Sequence, residues 1–488
     1  MSTTECRAGN IHQSVSQSLL PSYRSDIDGL RGLAVLSVVF YHAKLSCPGG
    51  FVGVDVFFVI SGYLIAGLIL KELQAGTFSI AAFWERRMRR IFPACAVMVL
   101  VTLVAGAFVP SAVDYVQLGQ SALMQSVMAS NLFFWRKAGG YFDQENFRPL
   151  LHTWSLAVEE QFYLLFPLGL WALFRFGQAR RLSIWLLAAA LGSLLLAAAE
   201  MSSSHINAAF YLLPERAWEL LIGALLTVLP AAWLASSRWQ RELVAWLGLA
   251  GILVPVWLYS DKTSFPGLTA LPSCLGAAAL IWANTQNGKT TTWPGRLLAA
   301  RPLVFVGLIS YSLYLWHWPV LAFANYGWSS SASVPVGVAG MEVTVAIVLA
   351  LVSWRWVETP FRQKRIAEPR RAIFQLVATV SVLLILISAS VVVSRGFPSR
   401  LSELVRQNEA ALKDKGYRGE TLTADVQSGR IPRFGAKSIN LPPRVLLWGD
   451  SHAEHAVKAL DVLCRNTGIA FEVITANGTP PVNSPIVP

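Results

Sequence analysis

The chain has 488 residues, of which 54% are hydrophobic and only 14% are charged, whereas a typical soluble domain has about 25% charged residues. Soluble domains of this total length need more charged residues on their surface than this chain has. The composition therefore predicts a polytopic membrane protein. Lysine and arginine (40) outnumber aspartate and glutamate (28), as expected for cytoplasmic loops, so no nucleic-acid partner is needed to explain the charge. The five cysteines lack paired spacing, which argues against a disulfide framework or a metal site.

Apolar runs divide the first four fifths of the chain into membrane spans. Residues 1–22 form a polar tail without the apolar stretch of a signal peptide, so the first span is expected to direct insertion. Runs of bilayer-crossing length predict a ten-span domain at 23–365 and an eleventh helix at 372–394. The spans are expected near 30–45, 51–70, 94–110, 154–176, 183–200, 216–235, 243–260, 267–284, 303–325, 338–357 and 372–394.

Loop charge decides how a weaker apolar run at 118–136 is interpreted. With the N-terminus inside, the predicted cytoplasmic segments contain nineteen lysines and arginines, and the outside loops contain four. The positive-inside rule requires such an asymmetry, and a crossing at 118–136 would place every later loop on the opposite side. We therefore expect a cytoplasmic N-terminus, no span at 118–136, and a C-terminal tail on the outside of the membrane.

The tail after the eleventh span changes in composition. Residues 395–440 are polar and charged and are expected to form a linker with some helix at 401–413. The segment 441–488 then shows a strand, a tight turn, a helix and a second strand, which is how an α/β domain begins. The predicted fold is an all-α membrane domain followed by an incomplete α/β domain.

Ionisable residues within the predicted spans are candidates for function, because burying them in a bilayer costs several kcal/mol. Arg31 and His42 lie eleven positions apart in the first span, which is about 16 Å and three helical turns, so they share one face. Such a face is suited to guide an elongated anionic donor to a base, since histidine exchanges a proton near neutral pH. The alternative is an anchoring arginine and a histidine that packs against another helix.

Further polar positions allow both structural and functional interpretations. Asp55, Ser61 and Gly62 in the second span suit a site or close helix packing. Arginines 86, 87, 89 and 90 are placed in a long cytoplasmic loop, where they either bind phosphates or only set topology. Buried carboxylates are expected to pair with arginines or to line a wet cavity, and His317, between two tryptophans, is more typical of packing than of catalysis. These carboxylates are Glu159, Glu160, Glu215, Glu219 and Glu358.

Taken in order, these residues resemble the membrane acyltransferase-3 family over about residues 20–365. The matching features are Arg31 with ten residues before His42, the run Phe57-Phe58-Val-Ile-Ser61-Gly62, Arg86 with Arg89, Trp154-Ser-Leu-Ala-Val-Glu-Glu-Gln-Phe-Tyr163, Tyr311-Ser-Leu-Tyr-Leu-Trp-His-Trp318 and Glu358-Thr-Pro360. The resemblance implies transfer of an acyl group, usually acetyl, from cytoplasmic acyl-CoA to a hydroxyl of an envelope glycan such as lipopolysaccharide O-antigen. It implies a multi-pass protein of the bacterial inner membrane, with no bound cofactor, metal or nucleic acid.

The resemblance also implies roles for individual residues. His42 would be catalytic with Arg31 as its partner, either as a base or as a group that is itself acylated. Arg86 and Arg89 would bind the phosphates of the donor. The acyl-transfer site would be formed by Phe57, Phe58, Ser61 and Gly62. Supporting roles would fall to Asp55, Glu159, Glu160 and Glu358.

A second resemblance lies in the tail, where Trp448-Gly-Asp-Ser-His452 is similar to the first block of an SGNH esterase or transferase domain. Ser451 would then be a nucleophile presented between a strand and a helix N-terminus, although the same residues also suit a helix cap. An SGNH base is expected in a late Asp-x-x-His, and none follows Ser451, while Asn477 comes too early for the conserved asparagine of the pattern. The tail, 441–488, is therefore expected to be a fragment without esterase activity.

Two other functions fit part of the pattern. A proton-coupled transporter would use Arg31, His42 and the Glu159/Glu160 pair as a relay, but the spans show no repeated halves. A truncated, inactive acyltransferase is the other alternative.

Overall fold

The computed structural model describes residues 23–109, 111–137, 147–202, 206–229, 237–284, 292–326, 335–403, 405–406, 428, 431–435, 445–449 and 451–475. The chain divides into two compact units, Met1–Phe397 and Pro398–Pro488. The predicted tail at 1–22, most of the predicted linker helix at 401–413, Asp450 and Asn477 lie outside the described residues.

The first unit is helical throughout its described part, as its composition predicts. Several helices begin with a proline in the first turn, where its missing N–H leaves no hydrogen bond unmade. The helices are α1 (Ser25–His42), α2 (Gly53–Gln74), α3 (Ile80–Gly106), α4 (Ala112–Ser126), α5 (Ser130–Lys137), α6 (Thr153–Arg175), α7 (Leu182–Met201), α8 (Ile206–Tyr211), α9 (Leu213–Leu225), α10 (Arg238–Leu258), α11 (Leu271–Ala283), α12 (Trp293–Leu298), α13 (Arg301–Ala324), α14 (Val336–Ser353), α15 (Thr359–Arg362) and α16 (Arg370–Val393).

Seven helical segments of the described chain are long and apolar enough, by length and composition, to cross a membrane. They are Gly50–Gln74, Ile80–Gly106, Ala179–Met201, Arg238–Leu258, Arg301–Ala324, Val336–Arg362 and Arg370–Val393. The other four predicted spans are also helical, but α1 and α6 include charged residues. The helix α9 has 13 residues, about 20 Å, and Gly267–Ala283 is likewise short. The number of crossings therefore stays a prediction.

Two sequence boundaries differ from the structure. Helix α3 begins at Ile80, which is 14 residues before the start of the third predicted span. The Ser79 hydroxyl accepts a hydrogen bond from the Ala82 N–H and caps the helix there. The arginine cluster therefore lies within a helix and not in a loop, as the sequence suggested. The run at 118–136 is divided between α4 and α5, with Met128 at φ 54° between them, so it does not form one continuous spanning helix.

Close helix crossings hold the centre of the first unit together. A Cβ atom on Gly32 of α1 would lie 2.3 Å from the Leu303 carbonyl oxygen, and one on Gly307 of α13 would lie 1.7 Å from that of Asp28. Only glycine allows backbones this close, so α1 and α13 pack along their lengths. This crossing determines which α13 residues face His42 at the end of α1.

The second unit contains a small mixed sheet in its described part. The strands are β1 (Arg433–Gly435), β2 (Val445–Gly449) and β3 (Ala470–Thr475), and helix α17 (Ser451–Thr467) connects β2 to β3. The sheet order is β1-β3-β2, with β2 parallel and β1 antiparallel to β3. Phe471 and Val473 of β3 are buried against Val457 and Cys464 of α17. The prediction of a helical domain followed by an α/β unit is confirmed.

Candidate active site

Helix α1 contains the two residues that the sequence singled out, Arg31 in its second turn and His42 at its C-terminal end. Arg31 lines a cavity, and its Nη1 lies 3.4 Å from Asp28 Oδ1 one turn earlier. His42 is the last residue of α1, and its ring meets the ring of His317 from α13. The helix rise places Arg31 and His42 about 16 Å apart along the axis. They therefore lie at separate positions on α1 and do not contact each other directly.

Three histidines gather at the end of α1 and are called here the histidine cluster: His42, His152 and His317. The His42 Nδ1 atom lies 3.1 Å from His317 Nε2, and the two ring planes are within 17° of parallel. His152, just before α6, places its ring centroid 5.6 Å from that of His317. In the described part of the chain, no group of three or more His, Cys, Asp or Glu side chains is arranged to hold a metal ion.

Tyr314 connects the histidine cluster with the cavity. Its carbonyl oxygen lies 2.7 Å from His317 Nδ1, and its hydroxyl lies 2.7 Å from the Ser155 hydroxyl. The same hydroxyl donates a hydrogen bond to the His152 carbonyl oxygen. Tyr314 and Ser155 both line the cavity. The cavity and His42 are thus joined through residues of α13 and α6, although no role was predicted for His152 or Ser155.

The cavity encloses about 80 Å³ and brings together three arginines from two helices. These are Arg31 of α1 and Arg87 and Arg90 of α3, and this volume is called here the arginine cavity. Within the described part of the chain, Arg87 and Arg90 have no ion-pair partner, and Arg87 lies over the ring of Phe83. Arg31 pairs with Asp28, whereas the guanidinium groups of Arg87 and Arg90, which have no ion-pair partner among the described residues, are suited to bind phosphate.

The two arginines favoured by the family resemblance lie on another face of α3. Arg86 Nη2 lies 2.7 Å from Glu72 Oε1. Arg89 is almost completely buried, bonds to Glu85, and donates to the carbonyl oxygens of residues 366, 367 and 368. Neither of the two lines the arginine cavity. Both pairs have the same i, i+3 spacing, so the sequence alone does not indicate which pair faces inward.

Glu159 is the carboxylate that the structure places in the arginine cavity. The Ser61 hydroxyl donates to its Oε1 atom at 2.9 Å, and the Tyr163 hydroxyl donates to its Oε2 atom at 3.3 Å. Its neighbour Glu160 does not line the cavity, and its Oε1 atom is buried without a hydrogen-bond partner among the described residues. Of the two glutamates, Glu159 therefore lines a cavity, which is one of the two alternatives that the sequence left open, and Glu160 does not.

The second helix contributes both lining and packing residues to the predicted acyl-transfer site. Phe57, Phe58 and Ser61 line the arginine cavity. Gly62 does not, because it faces α9, where an added Cβ would lie 1.8 Å from the Leu220 carbonyl oxygen. The structure thus brings three of the four residues to the cavity, and Gly62 sets the distance between two helices.

Three further predicted carboxylates are held in ion pairs away from the cavity lining. Asp55 Oδ1 lies 2.8 Å from Arg216 Nη2, and the Nη1 atom of the same arginine lies 2.8 Å from Glu219 Oε1. All three side chains are essentially buried. Glu358, in a π-helical turn at the end of α14, accepts from the Ser312 hydroxyl and pairs with Arg362. These contacts give Asp55 and Glu358 structural partners.

Ser451 begins α17 directly after β2, at the strand-to-helix junction that the sequence predicts. Its side chain lies outside the part of the chain that the structure describes. The junction agrees with the backbone geometry in which a nucleophilic serine is presented at a helix N-terminus.

Comparison with known proteins now adds to this geometry. A family profile described as an acyltransferase domain matches residues 24–353, and a second, an SGNH domain fused to such domains, matches residues 417–487. The chain belongs to the membrane acyltransferase-3 family. The prediction of this family with a fused SGNH domain is confirmed, and so is the prediction of a multi-pass membrane protein.

The most similar curated proteins include the O-acetyltransferase OatA of Staphylococcus aureus. In strains MRSA252 and COL this protein is 32% identical to the chain over 411 residues, which is 81% of the chain and 66% of the relative. The chain therefore spans slightly less than two thirds of the length of these relatives. No solved structure matches the chain.

Proposed function

We propose that this acyltransferase-3 chain is an O-acetyltransferase of the bacterial inner membrane. It would transfer an acetyl group from cytoplasmic acetyl-CoA to a hydroxyl of an envelope glycan. The observation that carries this proposal is the convergence of Arg31, Arg87 and Arg90 on one cavity that is linked through Tyr314 to His42. The loop charges, which predict that the start of α3 faces the cytoplasm, put these arginines on the side of the donor.

The arginine cavity suits one end of an acyl-CoA molecule. At about 80 Å³ it is far smaller than the whole donor, so only the part of the donor that carries the phosphates would enter. The phosphates would pair with the guanidinium groups, because arginine binds phosphate through two parallel N–H groups. The pantetheine arm would then extend past the apolar rings of Phe57 and Phe58, which would exclude water from it, and bring the thioester to His42, about 16 Å from Arg31.

His42 would handle the proton during transfer. The acceptor hydroxyl oxygen attacks the thioester carbonyl carbon, the carbon–sulfur bond breaks, and the new ester forms. His42 takes the hydroxyl proton as the carbon–oxygen bond forms and returns it to the departing thiolate of coenzyme A. Arg31 on the same helix would hold the donor so that its thioester lies next to His42.

The acceptor is assigned by chemical class. An envelope glycan offers many equivalent hydroxyl groups and is accessible from the outer side of the membrane, where the tail is predicted to lie. Lipopolysaccharide O-antigen is the first acceptor to test. Transfer through a carrier would use Ser451 of the second unit. Its hydroxyl would then be the one that attacks the thioester, and the glycan hydroxyl would attack the resulting serine ester and release the serine, a role that its strand-to-helix position supports.

The proposal is tested by following labelled acetyl from acetyl-CoA into glycan in membranes that contain the full chain. We expect His42→Ala to lower incorporation about 10²- to 10⁴-fold, because a positioned acid–base group contributes that much. Lys44→Ala is the matched control, since Lys44 is an exposed residue two positions beyond His42. Equal labelling by the His42 variant and the parent chain at equal expression would refute the assignment.

Two further arms of this experiment locate the acceptor and the role of the tail. Separating lipopolysaccharide from the other envelope polymers before counting shows which glycan carries the label. Ser451→Ala should abolish label in glycan if the serine is an obligatory carrier. Full labelling by that variant would show that transfer proceeds without it.

A further inference from the structure

A cluster of charged side chains joins α2 to α9. Asp55 Oδ1 lies 2.8 Å from Arg216 Nη2, and Glu219 Oε1 lies 2.8 Å from Arg216 Nη1. Asp55 and Glu219 are 0% exposed, and Arg216 is 1% exposed. These three residues are called here the buried cluster. It contains two carboxyl groups but only one guanidinium group.

The charges of the buried cluster do not balance if both carboxyl groups are ionised. Arg216 is the only basic side chain among the described residues that forms an ion pair with either carboxylate. Helix α11 contributes Cys274, which lies against Arg216, and a protonated thiol carries no charge. Two ionised carboxylates would therefore leave one uncompensated negative charge in the interior, which is strongly unfavourable.

The hydrogen bonds of the two carboxyl groups are also incomplete. Asp55 Oδ2 and both Glu219 oxygens accept no hydrogen bond among the described residues, since the contact of Glu219 with Arg216 is an ion pair without hydrogen-bond geometry. The two carboxyl groups lie within hydrogen-bonding reach of each other. Ionised carboxylates only accept hydrogen bonds, whereas a protonated carboxyl group has an O–H group that donates. One proton would therefore give a buried oxygen its donor and remove the excess charge.

We propose that Asp55 and Glu219 share one bound proton, so that the buried cluster as a whole is neutral. Two carboxyl groups at such a short distance hold a proton between them, because like charges disfavour each other. Asp55 accepts a hydrogen bond from Arg216 at 2.8 Å, which favours its ionised form and places the proton on Glu219. No step of acyl transfer uses this proton, so the inference does not rest on the proposed function.

Aromatic rings surround the charged part of the buried cluster. The guanidinium carbon of Arg216 lies 5.5–5.8 Å from the ring centroids of Phe58, Trp154, Phe210 and Phe265. Such rings stabilise the positive charge of arginine but offer little to a second negative charge. Phe58 also lines the arginine cavity, so the buried cluster supports one wall of that cavity. A neutral cluster can do so without drawing water into the wall.

The number of charges can be tested by removing the carboxyl groups one at a time. In Asp55→Asn or Glu219→Gln, an amide of nearly the same shape supplies an N–H donor, and the remaining carboxylate balances Arg216. Each single variant should therefore melt within about 3 °C of the parent chain. The double variant leaves Arg216 without a carboxylate and should lower the melting temperature by roughly 5–10 °C.

Infrared spectroscopy observes the proton directly, because the C=O band of a protonated carboxyl group is separate from that of a carboxylate. The full chain is measured in a detergent that contains no ester groups. The difference spectrum between the parent chain and Glu219→Gln should show one protonated carboxyl group, and so should that for Asp55→Asn. Asp26→Asn is the matched control, because it removes a buried carboxylate that pairs with Arg24. Its difference spectrum should contain no such band.

Three outcomes would overturn the inference. The lack of a protonated carboxyl band in both difference spectra would show that both groups are ionised. Single variants as unstable as the double variant would show that each carboxylate is needed for charge balance. A melting temperature of the parent chain that falls when choline replaces sodium and potassium would show that a metal cation, and not a proton, compensates the second carboxylate. None of these outcomes depends on whether the chain transfers acetyl groups.

Discussion

Two pairs of arginines on α3 have the same composition and spacing but opposite surroundings. Arg86 and Arg89 are engaged by carboxylates and, for Arg89, by three backbone carbonyls. Arg87 and Arg90 are one position further along, which turns them by about 100° around the helix, and they line the arginine cavity with Arg31. Within this basic cluster, therefore, the arginines that have carboxylate or carbonyl partners hold the fold together. The arginines that have no ion-pair partner among the described residues are the ones available to a ligand.

The two pairs also connect different parts of the protein. Arg89 connects α3 to the segment before α16 through its hydrogen bonds to three carbonyl oxygens. Its partner Glu85 forms ion pairs with Lys364 and Arg370 from the same region. Arg87 and Arg90 instead face helices α1, α2 and α6 across the cavity. A substitution of Arg89 should consequently change stability, and a substitution of Arg87 or Arg90 should change the affinity for the donor.

The largest expected effect is on donor binding by the cavity pair. Each charge-assisted hydrogen bond contributes about 1.5–3 kcal/mol, so the double change Arg87→Ala with Arg90→Ala should raise the KM for acetyl-CoA about 10²- to 10⁴-fold. The measurement is acetyl transfer as a function of acetyl-CoA concentration. The single Lys substitutions, which retain charge but not the paired N–H groups, should fall between the parent and the double variant.

This prediction would fail if the double variant kept the parent KM. The melting temperature serves as its control, because neither side chain has an ion-pair partner among the described residues. A large fall in melting temperature would indicate a structural role and would remove the distinction between the pairs.

The next largest effect is on the stability of the fold, through Arg89. Its removal leaves Glu85 without one buried partner and three carbonyls without their donor, and breaking a buried pair in this way costs about 3–5 kcal/mol. Arg89→Ala should therefore lower the melting temperature of the detergent-solubilised chain and the amount that elutes as a single species. Arg90→Ala is the matched control on the same helix. Equal melting temperatures for the two variants would contradict the comparison.

The helices were largely predictable because the length of each apolar run can be read directly from the sequence. The long apolar runs correspond to helices, and the divided run at 118–136 corresponds to α4 and α5. The start of α3 was missed because its first turns are polar, so an apolar run cannot mark them. The length of helix α9 was overestimated, because apolar residues continue beyond Leu225 after the helix ends.

The site was predictable only in its residue types. Arg31, His42, Ser61 and Glu159 could be identified, because a polar residue in an apolar run is costly and therefore conspicuous. The face of α3 that turns inward depends on how that helix packs, and no spacing within the cluster contains this information. His317 likewise meets His42 because α1 crosses α13, which depends on the glycine contacts between the two helices.

The smallest expected effect belongs to Arg86, and it is the most decisive for the comparison. Its side chain and that of Glu72 are 36% and 20% exposed, and such a pair contributes about 0–1 kcal/mol. Arg86→Ala should therefore change the KM for acetyl-CoA by less than about twofold and the melting temperature only slightly, with Glu72→Gln behaving alike. If Arg86→Ala instead raises the KM as much as Arg90→Ala does, Arg86 reaches the donor despite its bond to Glu72. The family resemblance, which favoured Arg86 with Arg89, would then identify the residues that bind the phosphates of the donor better than the lining of the cavity does.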